Sequence, residues 1–166
     1  MLESIQDRLS LALEEDHWIG TRSFEREGTP LGSKNDHLLW AASNADLAEK
    51  FWEHGEATER RWATVAAYYS LLHVAQAIAA DLYNAHPEHH WEVFEVPLRV
   101  DANRTSLSAQ LQESYNISHN ARYLKAGDSP STWYEPYFTD EETAIDKAMS
   151  LMRTVGPELK RLVGWS

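Results

Sequence analysis

The stretch from Trp62 to Tyr83 constrains the fold of this chain more than any other feature. It is apolar on nearly every face and contains neither glycine nor proline. A helix that is apolar all round must be buried on several sides, so we expect this stretch to be the central helix of a bundle. Its alanines and Ser70 are small enough to let neighbouring helices approach closely.

Apolar residues at helical spacing predict further helices before and after the central one. Residues 1–18 predict an amphipathic N-terminal helix, and residues 20–35, which are rich in turn formers, predict a long loop. The second helix is expected to take Asp36 as its N-cap and to stop at Gly55. The fourth helix is expected to run from about Ser106 to Leu124.

The remaining segments complete an all-helical chain. Residues 87–104 mix aromatics, prolines and Asn, and they predict a loop with a helical turn, since a strand there would have no partner. Thr139-Asp-Glu-Glu142 predicts a capping box for the last helix, and Gly156-Pro157 is expected to kink or restart it. We therefore expect one all-α domain over residues 1–166, an antiparallel bundle of about five helices.

Composition limits the chemistry that the chain can perform. It has no cysteine, which excludes disulfides, thiolate nucleophiles and cysteine-ligated zinc. The N-terminus lacks the basic start and unbroken apolar run of a signal peptide, and no run approaches the ~20 apolar residues of a membrane span. We therefore expect a cytoplasmic protein with no cofactor and no membrane partner. The formal net charge of -11 should repel polyphosphates unless basic residues are locally concentrated.

The block WATVAAYYSLLHVAQAIAADL, from Trp62 to Leu82, resembles the central helix of HEPN domains. In that family an aromatic pair precedes a stretch of small residues with a histidine nearby. Here the pair is Tyr68-Tyr69 and the histidine is His73. The segments HPEHH and LQESYNISHNARYL follow in the order and spacing of the family, so the resemblance covers residues 36–162.

This resemblance implies a compact, usually dimeric helical bundle of the kind found in toxin-antitoxin pairs, phage-defence systems and nucleotidyltransferase partners. Catalytic members are metal-independent ribonucleases with an Arg-x4-6-His motif on a late helix, and the dimer completes their site. His119 matches the motif histidine, but the positions for the arginine hold Gln112, Glu113 and Ser114. Arg122 shares a helix face with His119 at i and i+3, and it would supply the cation in an inverted motif.

A polar stripe on the fourth helix carries the candidate site. Its members follow one another at i, i+3, i+4 and i+7 and are Asn116, His119, Asn120 and Tyr123. We interpret His119 and Arg122 as candidate catalytic residues, and Asn116, Asn120 and Tyr123 as candidate ligand-binding residues. Ordinary amphipathicity is the alternative, in which the asparagines face water and the tyrosines pack.

Two functions follow from these observations. The first is a HEPN-like dimer, inactive or weakly active, that binds a partner protein, a nucleotide or RNA within a toxin-antitoxin or defence-type module. Its partner would be a cognate antitoxin or a nucleotidyltransferase. The second is a metal-independent ribonuclease toxin that uses His119. The acidic charge and the missing motif arginine favour the first.

The other histidines are interpreted separately. His86, His89 and His90 offer imidazoles to a metal, but Pro87 prevents the continuous helix that would align them, so we expect a loop without a metal. His73, inside the apolar helix, is expected to be a core histidine with a single hydrogen-bond partner.

Three aromatic residues after the fourth helix do not follow helical spacing. They lie in a loop bounded by prolines, where we expect them to cover a site or contact a partner; they are Trp133, Tyr134 and Tyr137.

Overall fold

The computed structural model describes residues 32–123, 133–135 and 138–165, and these residues form five helices and no strand. The helices are α1 (Lys34–His54), α2 (Ala57–Tyr83), α3 (His90–Val100), α4 (Thr105–Arg122) and α5 (Glu141–Leu162). The all-α bundle predicted from the sequence is therefore confirmed. The N-terminal helix predicted over residues 1–18 lies outside the described residues, as does residue 137.

The apolar stretch from Trp62 to Tyr83 is the centre of the fold. α2 packs against α1, α3, α4 and α5. Its Tyr68, Leu71 and Ile78 side chains are fully buried. By length and hydropathy alone α2 also meets the criterion for a membrane-spanning helix, which is a weak indication because 83% of the qualifying window is buried inside the bundle.

The start of α1 differs from the prediction. Ser33, not Asp36, is the N-cap, and α1 begins at Lys34, inside the segment predicted to be loop. The Asp36 backbone N–H donates to the Ser33 side chain, and the Asp36 carboxylate accepts from the Ser33 N–H at 2.8 Å. This reciprocal capping box satisfies two backbone donors at once, which is why the helix starts before the first apolar residue.

Residues 90–100 form a helix of 11 residues where the sequence predicted only a helical turn. The Glu92 carboxylate accepts from the backbone N–H groups of Glu88 and His89, which fixes the start of α3. Val93 and Val96 are buried, so the segment has an apolar face that the prolines concealed in the sequence. Pro97 removes one helical hydrogen bond without ending the helix.

The last helix is continuous where a kink or restart was expected. α5 runs through Gly156 and Pro157 to Leu162. Val155 and Leu159, on either side of the pair, are both fully buried, so packing keeps this face of the helix in the core. The N-cap is Asp140, whose carboxylate accepts from the Thr143 N–H at 2.7 Å, and not Thr139.

Candidate functional site between α2, α3 and α4

The histidines that are neighbours in the sequence separate in the structure. His86 stacks on His37 of α1, with ring centroids 5.2 Å apart. His89 stacks on the exposed Trp91 at 6.2 Å. His90 instead contacts Tyr68 of α2 and Tyr115 of α4. No group of His, Asp or Glu side chains in the described part of the chain has an arrangement able to hold a metal ion.

His90 is held by a buried tyrosine. The Tyr68 hydroxyl lies 2.6 Å from His90 Nδ1, and Tyr68 itself is fully buried. Burial raises the pKa of Tyr68, so its phenol stays protonated. Nδ1 is the one acceptor that the described residues offer to this buried O–H, so the hydroxyl donates to Nδ1. A neutral His90 therefore carries its own proton on Nε2, and no hydrogen-bond partner for this N–H lies among the described residues.

A row of rings continues from His90 along α4. Tyr115 lies between two histidines, with centroid distances of 4.6 Å to His90 and 5.5 Å to His119. His119 in turn lies 5.0 Å from Tyr123, which is 59% exposed. Tyr115 and His119 lie one turn apart on the same face of α4, and Tyr123 is the C-cap that directly follows the helix.

Arg122 joins this row to α2. Its Nη1 donates to the Tyr69 hydroxyl at 2.9 Å. Its guanidinium lies over the rings of Tyr69 and Tyr123, at 5.4 and 5.1 Å from their centroids. The buried Nε has no hydrogen-bond partner, and no carboxylate in the described ranges pairs with this side chain. Arg60, Arg104 and Arg153, by contrast, each form an ion pair with Glu or Asp.

We call this group the His90 cluster, and it consists of Tyr68, Tyr69, His90, Tyr115, His119, Arg122 and Tyr123. Its electrostatic character is cationic. The pKa of His90 is lowered first by burial and then by its neighbours Arg122, His119 and His89. The charged groups that act on this imidazole are therefore all bases, in a chain whose net charge is -11.

The residues proposed from the sequence are only partly brought together. His119, Arg122 and Tyr123 belong to the His90 cluster. Asn116 and Asn120 are half-buried on α4, and their side chains form no hydrogen bond within the described residues. The sequence pattern indicated His90 only as a possible metal ligand, and its contact with Tyr68 joins positions 22 residues apart. The aromatic pair Tyr68-Tyr69 on α2 was the sequence feature that could have indicated this site, because both tyrosines contact it.

The aromatic loop after α4 does not have the role predicted from its composition. Trp133 is only 3% exposed, and its Nε1 donates to the Glu141 carboxylate at 2.6 Å. Tyr134 packs against the core. Trp133 therefore closes the bundle instead of remaining free for a partner, whereas Tyr134 is half-buried and Tyr137 lies outside the described residues.

His73 is a half-buried histidine whose Nδ1 lies 2.9 Å from the amide oxygen of Gln76. It also lies 3.4 Å from His37 Nδ1, so it has two neighbours where one was expected.

The cluster has the chemistry of an anion site. An unpaired guanidinium and an imidazole N–H donate to phosphate or carboxylate oxygens, and an exposed aromatic ring stacks on a planar group. Comparison with known proteins adds no assignment: no family model, no curated protein and no solved structure matches this chain.

Proposed function

We propose that this chain is a HEPN-like protein that binds the phosphate groups of RNA or of a nucleotide at the His90 cluster. The observation that carries the proposal is Arg122, which lies beside two histidines and has no carboxylate partner in the described part of the chain. Arginine is suited to phosphate because its planar group presents several N–H donors together. The Tyr69 hydroxyl and two aromatic rings fix its position before a ligand arrives.

Because the chain is acidic overall, phosphate binding requires a local site with an available cation. A chain of net charge -11 repels a polyphosphate over most of its surface. Binding would then depend on the few sites where cations are not neutralised by neighbours. The exposed ring of Tyr123, adjacent to Arg122, would stack on a base of a single-stranded RNA or a nucleotide.

The resemblance to HEPN domains supports the same function and adds a biological setting. We propose a homodimer that acts within a toxin-antitoxin or defence-type module, together with a cognate antitoxin or a nucleotidyltransferase. Light scattering after size exclusion tests the dimer directly, and a monomer at all concentrations would contradict that part of the proposal.

Binding is tested by fluorescence anisotropy with a labelled single-stranded RNA of about 12 nucleotides, and with labelled ATP, at low salt. We expect the wild type to bind one of the two and Arg122→Gln to weaken that binding by about 10-fold or more, since a lost charged hydrogen bond is worth about 1.5 to 3 kcal/mol.

Arg161→Gln is the matched control, because it removes the same charge from an exposed position at the end of α5. A binding constant equal to that of the wild type is expected for it. Equal affinities for the wild type and Arg122→Gln, or no binding to either probe, would contradict the proposed site.

RNA cleavage is the second candidate function, and it is favoured by the position of His119 in the same cluster as Arg122 and His90. A neutral His119 would take the proton of a ribose 2'-hydroxyl as the 2'-oxygen attacks the neighbouring phosphorus. The bond from phosphorus to the 5'-oxygen then breaks, and the protonated His119 returns the proton to that leaving oxygen. The products are a 2',3'-cyclic phosphate and a 5'-hydroxyl, and Arg122 would stabilise the charge of the transition state.

Cleavage is measured with labelled RNA in the presence of a chelator. Activity that persists with the chelator, yields cyclic phosphate ends and disappears in His119→Ala would establish the second function. Binding of RNA without cleavage would support binding as the function and exclude the ribonuclease.

A further inference from the structure

A second group of histidines lies where α1 meets α2 and the loop between α2 and α3. We call it the His37 cluster, and it consists of His37, His73, Gln76 and His86. His37 is fully buried, while His73 and His86 are half-buried. The ring centroid of His37 lies 5.6 Å from that of His73 and 5.2 Å from that of His86. Three elements of the fold therefore meet through imidazole rings.

Hydrogen bonds assign the protons in this cluster. The Gln76 Nε2 donates to the Pro87 carbonyl, so the amide oxygen faces His73. His73 Nδ1 must then carry a proton and donate to that oxygen. His37 Nδ1, 3.4 Å from His73 Nδ1, is left as an acceptor. A neutral His37 therefore carries its proton on Nε2, which is buried and has no partner among the residues that the structure describes.

The packing has no provision for a positive charge. A proton added to His37 Nδ1 would face the N–H of His73, and the stacked ring of His86 would lie on its other side. His86 Nδ1 is also buried without a partner. The acids that act on these rings are Asp36 on α1, for His37, and Glu88 and Glu92, for His86.

These acids do not compensate for burial. Burial is the largest influence on all three imidazoles and lowers the pKa of each, that of His37 to about 4. The other two histidines lower the pKa of His37 further. A proton on any of these rings therefore destabilises the contact.

We propose that the His37 cluster is a pH-sensitive contact that releases α1 from α2 under mildly acidic conditions. α1 is suited to such a release because it packs mainly on α2. Leu39 is exposed, whereas the half-exposed ring of Trp40 lies against His37 and His73.

The polar contacts of α1 with α5 are made toward the opposite end of the helix, through the ion pair of Glu49 with Arg153 and the hydrogen bond from Trp52 Nε1 to Asp146. At the His37 end, Lys34 forms an ion pair with Asp81 of α2, which must also open for α1 to be released.

Hydrogen-deuterium exchange measured by mass spectrometry tests this proposal on the whole chain. After correction for the intrinsic exchange rate, we expect α1 and residues 84–89 to exchange on the order of 10-fold faster at pH 5.0 than at pH 7.5, since the opened form takes up protons that the closed form excludes. α5 should keep more protection than α1 at both pH values, because its most protected amides exchange only when the whole bundle unfolds. Unchanged protection of α1 at pH 5.0, or equal protection of α1 and α5 at that pH, would contradict the proposal.

Variants separate the cluster from general acid sensitivity. His37→Gln stays neutral at both pH values and should remove most of the pH effect on α1. If that variant fails to fold at pH 7.5, His86→Gln, at a half-buried position in the loop, serves the same purpose and should reduce the effect. His54→Gln, at the exposed end of α1, should respond to pH like the wild type. A full pH response in both cluster variants would refute the assignment.

Discussion

Tyr68 is the residue that links the core to the candidate site. Its ring is fully buried against Tyr69 and Tyr115, and its hydroxyl is bonded to His90. Because a buried phenol needs an acceptor, the same contact that satisfies Tyr68 also fixes the tautomer of His90. Arg122 is positioned in a similar way by the hydroxyl of Tyr69. Two adjacent tyrosines of α2 thus orient the two side chains that would contact a phosphate.

Tyr68→Phe is expected to lower the free energy of unfolding by about 1 to 2 kcal/mol, because His90 Nδ1 loses its donor while the ring packing stays. Urea denaturation followed by circular dichroism measures the change. Tyr115→Phe removes the same group from a half-buried ring whose hydroxyl has no hydrogen-bond partner among the described residues, and it should change stability by less than about 0.5 kcal/mol. Equal effects of the two substitutions would contradict the role of the Tyr68 hydroxyl.

At the scale of elements, α4 and α1 differ in how they are held. α4 packs on α2, α3 and α5, and it carries Tyr115 and His119 of the His90 cluster on one face, with Arg122 beside them and Tyr123 at the C-cap. α1 packs mainly on α2 and depends more on its own start, where Ser33 and Asp36 form the capping box. Local hydrogen bonds therefore count for more in α1 than in the helices surrounded by others.

Ser33→Ala removes the side chain that accepts from the first turn of α1, and it is expected to lower the free energy of unfolding by about 1 kcal/mol. The same urea measurement applies. Ser43→Ala, at an exposed position within the same helix, loses no cap and should be neutral or slightly stabilising, because alanine is the better helix former. A loss of stability in Ser43→Ala as large as that in Ser33→Ala would rule out the cap as the cause.

At the scale of the whole molecule, stability depends on pH through groups whose pKa values change on folding. The folded chain lowers the pKa of His37 from 6.5 to about 4, so the unfolded chain takes up the proton first as the pH falls. This loss of stability begins near pH 6.5 and is complete near pH 4. The pKa values of Asp36 and Glu49 are lowered as well, by hydrogen bonds from Ser33 and Arg153, so their contribution is lost only at more acidic pH.

Lowering the pH from 7.5 to 4.5 is therefore expected to reduce the global free energy of unfolding, with about 1 to 2 kcal/mol due to His37 after allowance for solvent screening. Urea titrations at several pH values measure the slope. His37→Gln should reduce the slope above pH 5 without removing it, because the pKa values of His73, His86 and His90 are lowered as well. His54→Gln should leave the curve unchanged. A stability that rises as the pH falls through this range would contradict the linkage.

Local patterns in the sequence determined most of the secondary structure. The spacing of apolar residues predicted α1, α2, α4 and α5, and the apolar character of α2 on all sides predicted its central position, because a helix can satisfy its own backbone but must bury its apolar surface. The helix ends were less well predicted. Ser33 and Asp140 are the N-caps because their side chains accept hydrogen bonds from the first turn of each helix. In the sequence, Asp36 and Thr139 are equally good candidates for these positions.

Only the tertiary structure decided which side chains share a site. His86 and His90 are four positions apart, yet the turn between α2 and α3 directs one to His37 and the other to Tyr68. His119 and Arg122 were identifiable from the sequence because one helix carries both, and the helical repeat fixes their relation. Their neighbour His90 was not identifiable from the sequence. Its contacts with Tyr68 and Tyr115 depend on the packing of α3 on α2 and α4, which the shapes of all three helices determine together.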